Sequence, residues 1–141
     1  MFGLDCSKKK KRKKPWKEYE EKIKNEYGNQ PYEKGKYKSI VDGEEKEGVA
    51  DAITTIDGKK TAVDAKYDKD WNSSIRNSNS KIGQKSFSKK EQNNMVIQAK
   101  KYTNSFPGGV IYHINSEELR DHYTKIFEEA GITNFQFKIT K

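Results

Sequence analysis

The feature that most constrains the fold of this chain is an Asp-Gly pair between two runs of strand-forming residues. Asp57 and Gly58 separate residues 49–56 from residues 59–67, and both runs are rich in Ile, Val and Thr. Such a pair is typical of a two-residue hairpin turn, in which both central residues need positive φ angles. The sequence therefore predicts a tight antiparallel hairpin at this position.

The register of this hairpin brings two acidic residues together. Asp51 is predicted to face Asp64, and Lys66 points to the same side two residues further on. Opposed Cβ atoms lie roughly 4.5–5.5 Å apart, and like charges placed there destabilise a sheet. A divalent cation would offset the repulsion, since Mg²⁺ is usually held by one or two carboxylates together with water and phosphate oxygens. The alternative is that the register slips, Asp51 lies in a loop, and Asp-x-Lys forms an exposed polar edge.

The positive charge of the chain is concentrated near its beginning. The net charge is +8, and residues 8–14 supply seven of the 29 basic side chains. We interpret residues 1–14 as a basic flexible linker and residues 15–141 as one domain with an aromatic-rich core. The basic run predicts a tether to nucleic acid or to an anionic surface, and its alternative role is that of a solvated linker.

Cysteine content and hydropathy exclude several classes. Cys6 is the single cysteine, so no intrachain disulfide and no thiolate zinc cluster is expected. No apolar stretch approaches the length of a membrane span, and no ordinary secretory signal follows Met1. We expect export, if it occurs, to be directed by a segment outside this chain.

Periodicity and turn signals predict an α/β fold with a mixed central sheet flanked by helices. Charged residues 44–47 are expected to form a loop after a turn at Asp42-Gly43, and polar residues 68–87 a longer one. The predicted elements are a helix from Pro15 to Gly28, strands 37–41, 49–56 and 59–67, a helix from the cap Ser88 to Tyr102, strand 110–114, a helix 117–130 capped by Ser116, and strand 135–139.

Glu20 is a candidate site residue within the first helix. It shares a face with the apolar residues Trp16, Ile23 and Tyr27, a position that a purely structural helix would normally keep apolar. The alternative is that Glu20 reaches water from the edge of this apolar stripe.

The order of elements and the spacing of acidic residues resemble the restriction-endonuclease-like nuclease superfamily, whose signature is written PD-(D/E)xK and whose core order is αβββαβ. More narrowly, the chain is similar to the restriction-endonuclease-fold toxin domains at the C-termini of bacterial polymorphic toxins, with an extra helix and strand after the core. Two departures are Ala50, where the signature has Pro, and Asp64, where Glu is commoner. The resemblance is carried by the strings Trp16-Lys17-Glu18-Tyr19-Glu20, Gly48-Val49-Ala50-Asp51, Asp64-Ala65-Lys66-Tyr67, Ser74-Ile75-Arg76-Asn77, Gln98-Ala99-Lys100-Lys101-Tyr102 and Tyr112-His113-Ile114-Asn115-Ser116.

The resemblance implies a metal-dependent endonuclease, and it assigns roles to particular residues. Asp51 and Asp64 would hold one or two Mg²⁺ or Mn²⁺ ions, with the Ala65 backbone carbonyl and Glu20 as further ligands. Lys66 would position water or stabilise charge on the phosphate. The remaining candidates are Gln92, for orienting water or substrate, and Arg76, Lys69 and Lys81, for contacting backbone phosphates.

The implied function is a nuclease toxin with DNA as the favoured substrate. Delivery as the C-terminal part of a larger toxin, action in the target-cell cytoplasm during bacterial competition, and neutralisation by a cognate immunity protein are expected, and a monomer is favoured. The alternatives are an RNase on the same fold and a non-catalytic nucleic-acid binder that uses the basic run. A metal-free RNase using His113 or His122 is a further alternative, although His113 on an apolar strand is more typical of a hydrogen-bonded core residue.

Overall fold

A computed structural model describes residues 14–141 of the chain, so most of the predicted basic linker lies outside the described residues. The described part is mixed α/β, with three α-helices and two sheets. Its elements are α1 (Pro15–Glu26), β1 (Lys36–Val41), β2 (Glu44–Val49), β3 (Ala52–Ile56), β4 (Lys59–Lys66), α2 (Ser86–Ser105), β5 (Val110–Ile114), α3 (Glu117–Glu129) and β6 (Phe135–Ile139).

The predicted hairpin is present in the predicted register. β3 and β4 are antiparallel, with Ile56 opposite Lys59 and Ala52 opposite Val63. Asp57 and Gly58 both have positive φ angles, 51° and 78°, as a two-residue turn requires. The turn chemistry therefore fixes the alignment of the two strands that carry the candidate site.

A second Asp-Gly turn forms a hairpin of its own. Asp42 and Gly43 also have positive φ angles, and they join β1 to β2 in a separate two-stranded sheet. The prediction of a charged loop after this turn is therefore wrong, because residues 44–47 belong to β2. Glu44, Glu45 and Glu47 are exposed there, so their charge does not oppose strand formation.

The predicted strand over residues 49–56 is in fact interrupted at Ala50 and Asp51. The Ala50 backbone N–H donates to the Gly35 carbonyl at 2.8 Å, and this contact directs the chain out of β2. A Cβ atom on Gly35 would lie 2.2 Å from the Ala50 oxygen, so glycine is required for the close approach. Asp51 consequently stands just before β3 and not within a continuous strand.

The central sheet is mixed and has helices on both faces. Its order is β3-β4-β5-β6, with β4, β5 and β6 parallel to one another. Val63 packs with Tyr19 and Ile23 of α1, whereas the neighbouring Ala62 belongs to the larger cluster on the other face, because successive strand residues point to opposite sides. The fully buried members of that cluster from the helices α2 and α3 are Met95, Ala99, Tyr102, Leu119, Tyr123 and Phe127.

Helix boundaries differ from the predicted ones mainly in α2. This helix begins at Ser86, so Ser88 lies inside it and is not the cap, and its hydroxyl donates to the Ile82 carbonyl at 2.6 Å. α3 follows the prediction, because the Ser116 side chain accepts from the Leu119 N–H. The polar segment before α2 contains two short 3₁₀ turns, at Trp71–Ser73 and Ile82–Gln84.

Among residues 14–141, no helix combines the length and the apolar character that crossing a bilayer requires.

Candidate active site

Asp64 is a buried carboxylate on β4, only 4% exposed. The hydroxyl of Tyr102 on α2 donates to its Oδ2 at 2.5 Å, and Lys66 Nζ lies 3.0 Å from its Oδ1. Burial, with the charge of Asp64 as the next cause, holds the pKa of Tyr102 well above its usual value, so the phenol stays a donor. Asp64 is thus held by α2 on one side and faces an ammonium on the other.

Asp51 lies against the end of β4. Its backbone N–H donates to the Val63 carbonyl at 3.1 Å, and its Oδ2 accepts from the Ala65 N–H at 2.8 Å. The direct strand-to-strand opposition of Asp51 and Asp64 is therefore replaced by a shifted arrangement, in which Asp51 caps the backbone beside Asp64. Burial, followed by the negative charge of Asp64, raises the pKa of Asp51 from 3.8 to about 7.

The donors present fit a hard divalent cation. Oδ1 of Asp64 is buried and has no hydrogen bond, because the contact with Lys66 lacks hydrogen-bond geometry. When both carboxyls are ionised, two negative charges lie beside one ammonium, and a cation would neutralise the second charge. No group of three or more His, Cys, Asp and Glu side chains placed for a metal occurs within residues 14–141. The candidate protein ligands are therefore the two aspartates, with the Ala65 carbonyl beside them.

A cavity of about 510 Å³ opens beside the Asp64-x-Lys66 segment. Five predicted site residues line it, whereas the Asp51 and Asp64 side chains are not part of its lining. Glu20 is one of the five, and it forms an ion pair with Lys24 at 3.0 Å. The lining residues are Pro15, Trp16, Glu20, Ala65, Lys66, Tyr67, Lys69 and Arg76.

Arg76 fastens the segment after β4 to the end of that strand. Its Nη1 donates to the Tyr67 carbonyl at 3.2 Å and lies 3.5 Å from Asp68 Oδ1, and its Nε lies 3.5 Å from a Glu91 oxygen. Arg76 is therefore held by protein groups at the cavity wall. Lys69 is exposed on the same wall.

Gln92 and Lys81 are placed differently from the other predicted residues. The Gln92 side-chain amide donates to the carbonyls of Ile75 and Gly83, at 2.8 and 2.9 Å, so it ties α2 to the preceding segment. Lys81 is exposed and does not line the cavity. The structure thus groups Glu20, Ala65, Lys66, Lys69 and Arg76 around one cavity and leaves these two residues outside it.

The two histidines have separate environments. His113 is fully buried, and its ring nitrogens lie 2.7 Å from the Tyr27 hydroxyl and 3.0 Å from the Thr140 hydroxyl. The prediction that it is a hydrogen-bonded core residue is confirmed. His122 lies on α3, and its ring packs edge-on against the ring of Trp71. Burial lowers the pKa of both rings, and the structure does not bring them together as an acid and base pair.

Two residues with site contacts were assigned no site role from the sequence. Tyr102 is predicted from the sequence only as the last residue of a helix, and its hydrogen bond to Asp64 depends on how α2 packs across the sheet. Trp16 marked a helix face, yet it is 49% exposed and lines the cavity. The only sequence signal for Trp16 was its position four residues before Glu20, which places both on one side of α1.

Comparisons of the chain with models of protein families, with curated proteins and with solved structures found no match.

Proposed function

We propose that this chain is a metal-dependent nuclease domain that hydrolyses phosphodiester bonds, with DNA as the favoured substrate, on a variant of the restriction-endonuclease-like core in which four strands, and not the expected three, precede α2. The observation that carries the proposal is the meeting of Asp51, Asp64 and Lys66 at the end of β4. Lys66 lies 3.0 Å from Asp64, and Asp51 accepts a hydrogen bond from the residue between them. Paired carboxylates beside an ammonium supply what phosphodiester hydrolysis needs, namely a cation site and a donor to the phosphate.

Each residue of the site has a separate task in this proposal. Asp51 and Asp64 would hold Mg²⁺ or Mn²⁺, with the Ala65 carbonyl as a further oxygen donor, whereas Glu20 pairs with Lys24 and lies outside this ligand set. When bound, the cation polarises the scissile phosphate and lowers the pKa of water. Lys66 would donate to a phosphate oxygen that gains charge in the transition state, and Tyr102 would keep Asp64 in a fixed orientation.

Substrate affinity would come from the basic side chains around the cavity. Lys69 is exposed and available to a phosphate, and Arg76 shapes the wall next to it. Residues 8–14 would add sequence-independent attraction to the polyanion. Such contacts position a nucleic acid without reading its sequence.

The biological setting in this proposal is that of a polymorphic toxin delivered to competing bacteria. A cognate immunity protein would neutralise it, and an acidic patch on that protein would complement the basic cavity wall. Co-expression tests this part: a gene whose product relieves growth arrest by the chain supports it, and a chain that causes no growth arrest contradicts it.

The activity is tested by digesting plasmid DNA, single-stranded DNA, ribosomal RNA and tRNA side by side with Mg²⁺, Mn²⁺ or EDTA. We expect cleavage that needs a cation and that falls at least about 100-fold in Asp64→Asn and Lys66→Gln. Asp57→Asn and Lys59→Gln are matched controls, because they make the same changes in the same hairpin away from the site. Both controls should cleave normally.

The outcomes separate the alternatives. Cleavage of RNA alone identifies an RNase on the same site. Steeply salt-dependent binding that is lost when residues 8–14 are deleted, with no cleavage under any cation, identifies a non-catalytic binder. Full activity of Asp64→Asn would refute the assignment of the site.

A further inference from the structure

The cavity beside Lys66 combines aromatic and cationic side chains in a way that the cleavage chemistry alone does not require. The start of α1 contributes Trp16, and Tyr67 follows Lys66, the last residue of β4. The following segment contributes Lys69 and Arg76. Aromatic faces flanked by cations are the recurring elements of sites for single-stranded nucleic acid.

Trp16 is available for such a contact because the core does not use it. α1 packs on the sheet through Tyr19 and Ile23, which are 6% and 0% exposed, whereas Trp16 is 49% exposed. The other tryptophan of the chain, Trp71, packs on His122 with ring centroids 5.1 Å apart. Trp16 is thus a large apolar surface kept in contact with solvent at the wall of the candidate site.

The charge around Trp16 favours a phosphate-bearing ligand. Lys69 is exposed and has no ion pair within the described part of the chain, so its ammonium can donate to a phosphate oxygen. Residues 8–14 end one residue before Pro15, which itself lines the cavity. The basic run therefore connects directly to a residue that lines this cavity.

The cavity volume of about 510 Å³ lies within the usual range for sites that take a small organic group. A base can stack on an indole only when its own face is uncovered, which holds for an unpaired nucleotide and not for the interior of a duplex. We propose that the cavity binds an unpaired nucleotide of the substrate, whose base stacks on Trp16 while Lys69 contacts its phosphate. This inference rests on the proposed nuclease function, and it names single-stranded nucleic acid as the substrate class.

Binding in EDTA tests the proposal without any cleavage. Fluorescence anisotropy would compare a labelled DNA strand of about 12 nucleotides, the same strand in a duplex, and an RNA strand of the same sequence. We expect both single strands to bind more tightly than the duplex, and Trp16→Ala to weaken single-strand binding about 10-fold or more. Trp16→Phe should retain most of the affinity, because it keeps an aromatic face.

The matched control is Phe87→Ala. Phe87 is the second residue of α2, as Trp16 is of α1, and it is 61% exposed, but it does not line the cavity. This variant should bind like the wild type. Circular dichroism would show that the variants are folded.

A direct readout uses Trp16 itself. In Trp71→Phe, Trp16 is the single tryptophan of the chain, and its fluorescence should be quenched by the single strand and not by the duplex. Unchanged binding by Trp16→Ala, or equal binding of the single strand and the duplex, would overturn the inference. Neither result would bear on the proposed nuclease function. Single-strand binding through Trp16 in a protein without cation-dependent cleavage would instead overturn the nuclease function and leave the binding site standing.

Discussion

Replacing Asp51 by Asn should stabilise the cation-free protein at neutral and alkaline pH. The substitution removes one of two adjacent negative charges, and the side-chain carbonyl of Asn can still accept the hydrogen bond from the Ala65 N–H that measures 2.8 Å. The geometry at the end of β4 is therefore preserved while the repulsion from Asp64 is removed.

The magnitude follows from the raised pKa of Asp51. The pKa of Asp51 is about 7 in the folded protein and ordinarily 3.8. Above pH 7 this difference lowers the free energy of unfolding by about 4 kcal/mol, because the folded protein must hold an ionised Asp51. Asp51 is partly exposed, and solvent screening reduces this to about 1–3 kcal/mol. Proton binding to Asp51 favours the folded state fully below about pH 3.8, and that contribution is lost as the pH rises towards 7.

The assay is urea unfolding in EDTA at several values of pH between 4 and 8, comparing the wild type with Asp51→Asn. The stability advantage of the variant should be small near pH 4 and should grow to its full size by about pH 8. Asp57→Asn is the matched control, since Asp57 is an exposed acid in the turn of the same hairpin and Asn also tolerates its positive φ. An advantage that does not change with pH, or a variant less stable than the wild type at pH 8, would refute the reasoning.

Adding Mn²⁺ should reverse this order, because the wild type gains about 4.1 kcal/mol at a concentration about 1,000 times its Kd, which exceeds the advantage of the variant, and a variant lacking a ligand gains less; equal gains in thermal unfolding would contradict the cation site. Tyr102→Phe should destabilise the protein by about 1–3 kcal/mol, since it removes the donor to buried Asp64, and an unchanged urea midpoint would show that this bond is unimportant. Gly35→Ala should cost about 1–3 kcal/mol or more by clashing with the Ala50 carbonyl, as urea unfolding would show, and a neutral effect would contradict the close approach. Gln92→Leu should increase proteolysis of the segment between β4 and α2, and unchanged cleavage rates would contradict the anchoring role.

Local chemistry explains why much of the sheet could be predicted. The Asp57-Gly58 pair requires positive φ angles that only a few residue types tolerate, so both the turn and the register of β3 and β4 followed from the sequence. β5 and β6 were recognised from an apolar run and from strict alternation. The Asp42-Gly43 turn was predicted, but the strand after it was not, because a run rich in glutamate is more typical of a loop than of an exposed strand.

The parts of the site that could not be predicted depend on contacts distant in sequence. The hydrogen bond from Tyr102 to Asp64 links residues 38 positions apart and requires the packing of α2 across the sheet. The break at Ala50 depends on Gly35, whose role is visible only when the two backbones are adjacent. Sequence patterns indicate candidate site residues, whereas the orientation of each carboxylate is decided by tertiary packing.

The most direct test of the central claim is the anomalous scattering of crystals grown with Mn²⁺. We predict a peak coordinated by the carboxylates of both Asp51 and Asp64, and loss of that peak in Asp64→Asn crystals. A peak bound elsewhere, or two aspartates that turn away from each other in the presence of Mn²⁺, would contradict the account.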